Sequence, residues 1–90
     1  MRESMTEELG RLLREAFAPE SLAVINDSAK HLGHAGDDGS GESHFTVEVV
    51  SQAFAGVSPV ERHRMVYRAL GDIPGQRVHA LVIRARAPGE

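Results

Sequence analysis

Apolar residues recur along this chain with two different periods, and the switches between them divide it into five elements. From Ser4 to Phe17 the period is helical. Leu9, Leu12, Leu13, Ala16 and Phe17 fall at i, i+3, i+4, i+7 and i+8, one apolar stripe along an amphipathic helix. Ser4 and Glu7 have the S-x-x-E spacing of a capping box, which gives partners to N–H groups that the first turn leaves open. Gly10 lies beside the stripe and costs the helix about 1 kcal/mol relative to alanine. Pro19 ends it, because the residue before a proline is driven out of helical geometry.

From Ser21 the period drops to two. Ser21 to Asp27 predicts a strand with Leu22, Val24 and Asn26 on one face and Ala23, Ile25 and Asp27 on the other. Ser28 to Glu42 has no period and is rich in Gly, Asp and Ser. At about fifteen residues it is a long loop, of the kind that in compact domains is functional or disordered. Phe45 to Val50 is the clearest strand, alternating Phe45, Val47 and Val49 with Thr46, Glu48 and Val50, and it pairs with the first as a long-looped antiparallel hairpin. Gln52 to Val57 is a turn marked by Gly56, with Phe54 as a core anchor. A second helix opens at Ser58 as N-cap, with Pro59 at its first position and Glu61 completing a capping box, and runs to Leu70 before Gly71. Val60, Val66, Tyr67 and Leu70 are its predicted inward residues. After a turn over Asp72 to Gln76, Val78 to Ala85 is the last strand. His79, Leu81, Ile83 and Ala85 are assigned to one face, Val78, Ala80, Val82 and Arg84 to the other, and the final Pro-Gly-Glu is expected to fray.

The order helix, strand, strand, helix, strand implies one α+β domain over residues 1–90, with its core at about 5–86. A crossover of about 25 residues through the second helix is long enough for a parallel connection. The expected product is a three-stranded mixed β-sheet with helices packed on one face. Parallel pairing sets the N-terminal ends of the last two strands side by side. His79 and the loop histidines are thereby expected at one end of the sheet.

Composition narrows the chemistry. Ninety residues allow one modest core. The formal net charge of −3 disfavours bulk binding of nucleic acid, which takes a basic surface, although nine of the ten basic residues are arginines and some cluster. There is no cysteine, so the chain forms no disulfide and offers no thiolate to a metal; its five histidines are its only soft nitrogen ligands. No apolar run approaches the roughly 18 residues that span a membrane, and the N-terminus lacks an apolar signal core. A cytoplasmic location and no membrane contact are expected. No G-x-S-x-G elbow, phosphate-binding loop or H-E-x-x-H motif occurs, and catalysis is not expected.

Several short motifs stand in a fixed order: Asp27-Ser28, Gly33-His34-Ala35, Glu42-Ser43-His44-Phe45, Ser51, Phe54-Ala55-Gly56, Arg62-His63-Arg64-Met65-Val66-Tyr67 with Leu70, and Val78-His79-Ala80-Leu81. Together they resemble the BolA family over about residues 21 to 83. The resemblance implies a fold similar to type II KH-like domains and partnership with a monothiol glutaredoxin. It also implies a [2Fe–2S] cluster shared with the glutaredoxin and its glutathione, with no cofactor in the isolated chain, which is expected to be a monomer. By position the family's two ligand histidines fall on His34 and His79. The loop is longer than the usual form and carries a second histidine, His31, as an alternate ligand. Some family members are described as DNA-binding regulators, which makes Arg62, His63 and Arg64 a candidate partner- or DNA-binding patch.

Imidazole ligation is chemically reasonable here. Iron–sulfur clusters are commonly held by four cysteines, and Rieske centres replace two of them with histidines on one iron. Against the ligand role, a histidine on the face of Leu81 and Ile83 reads as a partly buried strand residue. For His44, at the start of a strand, a structural role is expected, as a hydrogen bond fixing the loop to the sheet. In the Arg-His-Arg triplet the competing reading has His63 and one arginine tying the helix to strand or loop while the other is solvated.

Overall fold

The computed structural model describes residues 3–27 and 44–90. Its elements are α1 (Met5–Phe17), β1 (Ser21–Asn26), β2 (His44–Val50), a single 3₁₀ turn (Gln52–Phe54), α2 (Pro59–Leu70) and β3 (Ala80–Arg86). The three strands form one sheet in the order β1-β2-β3. β1 pairs antiparallel with β2, from Ser21 opposite Val50 to Asn26 opposite Phe45. β3 pairs parallel with β2, from His44 beside Ala80 to Val50 beside Arg86. This is the expected α+β architecture, with α2 as the crossover.

Local chemistry sets the helix ends. The Ser4 Oγ accepts the Glu7 N–H at 3.1 Å while Glu7 Oε1 accepts the Ser4 N–H at 2.9 Å, so the capping box is complete. Ser58 caps α2 by accepting the Glu61 N–H at 3.2 Å, with Pro59 at the first position. Gly71, at φ 64°, closes α2 by donating its N–H to the Tyr67 carbonyl at 3.0 Å. Ala18 performs the same closure for α1 from φ 44°, a left-handed conformation unusual for a residue with a Cβ.

β2 runs through the middle of the core. Phe45, Val47 and Val49 are fully buried, and Leu9 and Leu13 from α1, Val66 and Leu70 from α2, and Ile83 from β3 close around them. Burying a Leu, Val or Phe side chain contributes roughly 1.5–3 kcal/mol, so this cluster supplies most of the drive to fold. Phe54 is buried as anticipated and packs on Phe17 with ring centroids 4.9 Å apart. Ser51 is buried beside them. Its hydroxyl donates to the Phe17 carbonyl at 2.7 Å, giving a partner to one of the carbonyls that a helix C-terminus leaves open.

Three expectations are corrected. Val60 and Tyr67 do not face inward; they are 63% and 42% exposed. α2 carries two candidate stripes, and the one through Met65, Val66 and Leu70 continues into buried Ile73, so it docks and turns Val60 and Tyr67 outward. The last strand starts at Ala80, not Val78, and the expected two-residue alternation breaks there. Val78 is buried while Ala80 is exposed. Lastly, the terminal Pro-Gly-Glu folds back: Ala87 is buried, and Glu90 accepts its N–H at 3.1 Å.

Candidate functional site

The chain between α2 and β3 decides where His79 stands. Ile73 and Val78, both buried, bracket a tight turn. The N–H groups of Arg77 and Val78 donate to the Ile73 carbonyl at 2.9 and 3.0 Å, and the Gly75 N–H donates to the Val78 carbonyl at 2.9 Å. Gly75 sits at φ 88°, where a Cβ is strained. Val78 also forms an isolated parallel bridge with Pro74. Val78 is thus pinned into the core by a turn rather than by the pleat, and the next residue, His79, is thrown outward. His79 is exposed and precedes β3. It does not share the half-buried face of Leu81 and Ile83, where the alternation placed it.

At the same end of the sheet His44 begins β2. It is 8% exposed, and its carbonyl accepts the Asp27 N–H at 2.8 Å. The adjoining end of β1 is tied down where the Thr46 hydroxyl donates to Asp27 Oδ2 at 2.5 Å. Because β2 and β3 are parallel with His44 beside Ala80, the rings of His44 and His79 meet, with centroids 5.4 Å apart and planes at 56°. His31 and His34 lie outside the described residues, as do Glu42 and Ser43.

The donor set can be tested for fit. Among the described residues no three His, Asp or Glu side chains group closely enough to hold a metal ion, and the chain has no cysteine. What it presents at this end is an open imidazole. A nitrogen ligand without thiolates suits a partial coordination sphere completed by another molecule's sulfurs.

The Arg62-His63-Arg64 triplet behaves differently residue by residue. Arg62 turns inward, with its side chain 12% exposed. Its Nε donates to the Val57 carbonyl at 2.7 Å, and Nη1 donates to the Ala85 carbonyl at 3.1 Å. Nη1 and Nη2 also grip Glu90 at 2.6 and 2.7 Å. Those bonds raise the Arg62 pKa and lower that of Glu90 to about 2. His63 and Arg64 face solvent. Arg64 is 70% exposed and 4.0 Å from Glu61, and Arg68, equally exposed, reaches the same carboxylate at 3.2 Å. Beside them Pro59, Val60, His63, Arg64 and Tyr67 line a shallow groove of about 420 Å³.

The structure therefore separates the two predicted sets. Arg62 binds at Ala85, and Ala85 lies five strand residues beyond Ala80, about 17 Å at 3.3 Å per residue. Of the predicted residues the histidine end holds His79, and the triplet is at the far end. Sequence reasoning missed two features. One is the ring contact of His44 with His79, which parallel register implied. The other is the Glu90 clasp on Arg62, for which the sequence carried no signal beyond opposite charge.

These features define a small α+β domain: a mixed three-stranded sheet, helices on one face, and an open imidazole where two parallel strands begin. Residues 13–90 match the family of BolA-like proteins, and the chain belongs to that family. It is 50% identical to human BolA-like protein 1 over 87% of this chain and 54% of that protein. It is 48% identical to the DNA-binding transcriptional regulator BolA of Vibrio cholerae over 79% of this chain and 63% of that one. It therefore spans under two thirds of either relative. Among solved structures, BolA1 from Arabidopsis thaliana superposes with a TM-score of 0.84 at 34% identity, covering 98% of this chain and 96% of that one.

Proposed function

We propose that this chain partners a monothiol glutaredoxin and supplies imidazole ligands to a [2Fe–2S] cluster held between the two proteins, in cluster trafficking, assembly or iron-dependent regulation. His79 is one ligand and His34 the other, with His31 as alternate. Glutaredoxin and its glutathione bring the thiolates, and the free chain is a monomer without a cluster. The observation that carries the reading is the exposure of His79 at the end of the sheet where β2 begins, ten residues after His34 in the sequence. Family membership and the absence of cysteine support it. When bound, the cluster supplies a transferable iron–sulfur unit. This chain's part is to offer neutral imidazole lone pairs from a fixed sheet end and to shield one side of the site. Imidazole binds metal only when unprotonated, so acid weakens the ligation.

Reconstitution tests this. The chain is mixed with a monothiol glutaredoxin, glutathione, iron and sulfide, and the product is followed by visible circular dichroism and by size. A heterodimer with its own [2Fe–2S] spectrum is expected. His79→Ala should strip the cluster while leaving the isolated fold and its melting temperature intact, because His79 is exposed and outside the core. An identical cluster spectrum in that variant overturns the ligand assignment.

A second reading is DNA binding, favoured by the Vibrio cholerae relative and by the exposed His63 and Arg64. Arg62 is already committed to Val57, Ala85 and Glu90, which leaves that patch weaker than the triplet suggests. Salt dependence separates the two readings, since phosphate contacts weaken steeply as salt rises.

A further inference from the structure

We propose that His44 is a positioning residue for His79: its buried ring is the platform that holds the exposed imidazole in one orientation at the end of the sheet. The proposal rests on His79 acting as a ligand, as argued above, and it concerns how that ligand is presented.

His44 starts β2, and His79 immediately precedes the parallel strand β3. His44 is beside Ala80 in the register, so the residue before Ala80 falls against it. The centroid separation of 5.4 Å and the tilt of 56° lie in the range where imidazole and other aromatic rings attract edge to face. The two partners differ in freedom. His44 is 8% exposed and sits within the ladder, so packing fixes its ring. His79 is exposed, lies outside β3, and among the described residues has no side-chain hydrogen bond or ion pair. The ring of His44 is the restraint that the geometry supplies. The backbone does the rest: the turn from Ile73 to Val78, buried at both ends, fixes the Cα from which His79 projects.

The size of the effect follows from rotamer counting. An unrestrained histidine has three χ1 wells and a roughly two-fold χ2, about six orientations. A ligand site needs one of them. Apparent affinity scales with the fraction of molecules already competent, so the platform raises it by at most about sixfold. The contact is between two rings, so phenylalanine should serve at position 44 and leucine should not.

The test uses the full chain and its reconstituted glutaredoxin complex, with His44→Phe, His44→Leu and His79→Ala. In the free chain, three-bond couplings and ring-to-ring Overhauser effects read the His79 rotamer. In the complex, visible circular dichroism and the rate of cluster release read the site. The expected result is one dominant His79 rotamer in wild type and His44→Phe, and averaging in His44→Leu. The His44→Leu complex should release its cluster up to about sixfold faster with an altered spectrum, while His44→Phe stays near wild type. A role confined to stability would lower the melting temperature without moving the rotamer or the spectrum. Rotamer averaging in wild type overturns the proposal, as does an unchanged His79 in His44→Leu. If His44→Leu fails to fold, the wild-type couplings and His44→Phe decide. Loss of the cluster in His44→Phe as complete as in His79→Ala would make His44 a ligand and also overturn it. If the wild-type complex holds no cluster while the rotamer responds as expected, the cluster reading fails and the platform stands.

Discussion

At the scale of single residues, the clasp between Arg62 and Glu90 is the contact that most changes how the sequence reads. Successive helix residues are about 100° apart, so Arg62 and Arg64 point roughly 200° apart, and one triplet cannot present both arginines to one partner. Arg62 faces inward and spends its donors on the Val57 and Ala85 carbonyls and on both Glu90 oxygens, a charge-assisted bidentate grip. Arg62 first, then the Ala87 N–H, hold Glu90 down to about 2 from an ordinary 4.5. A carboxylate whose pKa is depressed in the folded state stabilises the fold above its unfolded value, and that stabilisation is lost as pH falls through the folded value. The window for Glu90 is thus from about pH 4.5 down to about 2. Urea melts of wild type and Glu90→Gln should differ most above pH 5, with wild type the more stable, and should converge toward pH 2. A constant difference across that range would show that the charge of Glu90 is not what holds the tail. The triplet itself was visible in the sequence; its division was not, because two of the three partners of Arg62 lie 23 and 28 residues away in the chain.

Elements were legible where the signal was local. The capping box of α1, the Ser58 cap of α2, the stop at Gly71 and the alternation of β2 follow from neighbours within a few residues and appear, although Glu61 does not complete a second capping box. The failures came where tertiary contacts chose between local options. α2 had two apolar stripes, and only docking through Val66, Leu70 and Ile73 decides which one faces in. The start of β3 followed the pleat in sequence but a turn in the structure, so His79 points to solvent and not onto the face of Leu81. The end of α1 shows a local rule broken. Ala18 caps the helix from φ 44°, donating its N–H to the Arg14 carbonyl at 3.0 Å. A left-handed conformation costs an L-residue roughly 1–2 kcal/mol, while glycine forfeits roughly 0.5–1 kcal/mol through the entropy of its unfolded state. Ala18→Gly should therefore stabilise the protein by about 0.5 kcal/mol, a rise of about 2–4 °C in melting temperature for a domain of this size. A fall in melting temperature by differential scanning calorimetry would mean that the Ala18 side chain contributes more than its backbone strain costs.

At the scale of the whole molecule, the histidine end and the Arg62 clasp lie at opposite ends of β3. About 17 Å of β3 lies between Ala80 and the carbonyl that binds Arg62, roughly twice the Debye length of about 8 Å at physiological salt. The two functional readings can therefore be tested apart. With Arg62 withdrawn, α2 offers nucleic acid two guanidiniums, Arg64 and Arg68, and both already share Glu61. Each neutralised phosphate contributes about −0.9 to the slope of log affinity against log salt. Two contacts on α2 give a slope near −2, or about a tenfold loss between 50 and 200 mM salt. A regulator reading duplex DNA through six to ten phosphates would lose about 10³–10⁵ over the same interval. Fluorescence anisotropy of a labelled duplex across that range should give a slope no steeper than about −2, flattened further by Arg64→Gln with Arg68→Gln. The net charge of −3 opposes the approach of a polyanion, and of the other exposed arginines Arg11, Arg77 and Arg84 are ion-paired with Glu3, Glu8 and Glu48. A slope near −6 that persists in the double variant would require a basic surface elsewhere on the chain and would move DNA binding ahead of glutaredoxin partnership. A shallow slope leaves the imidazole end as the site where this acidic, cysteine-free domain has chemistry to offer.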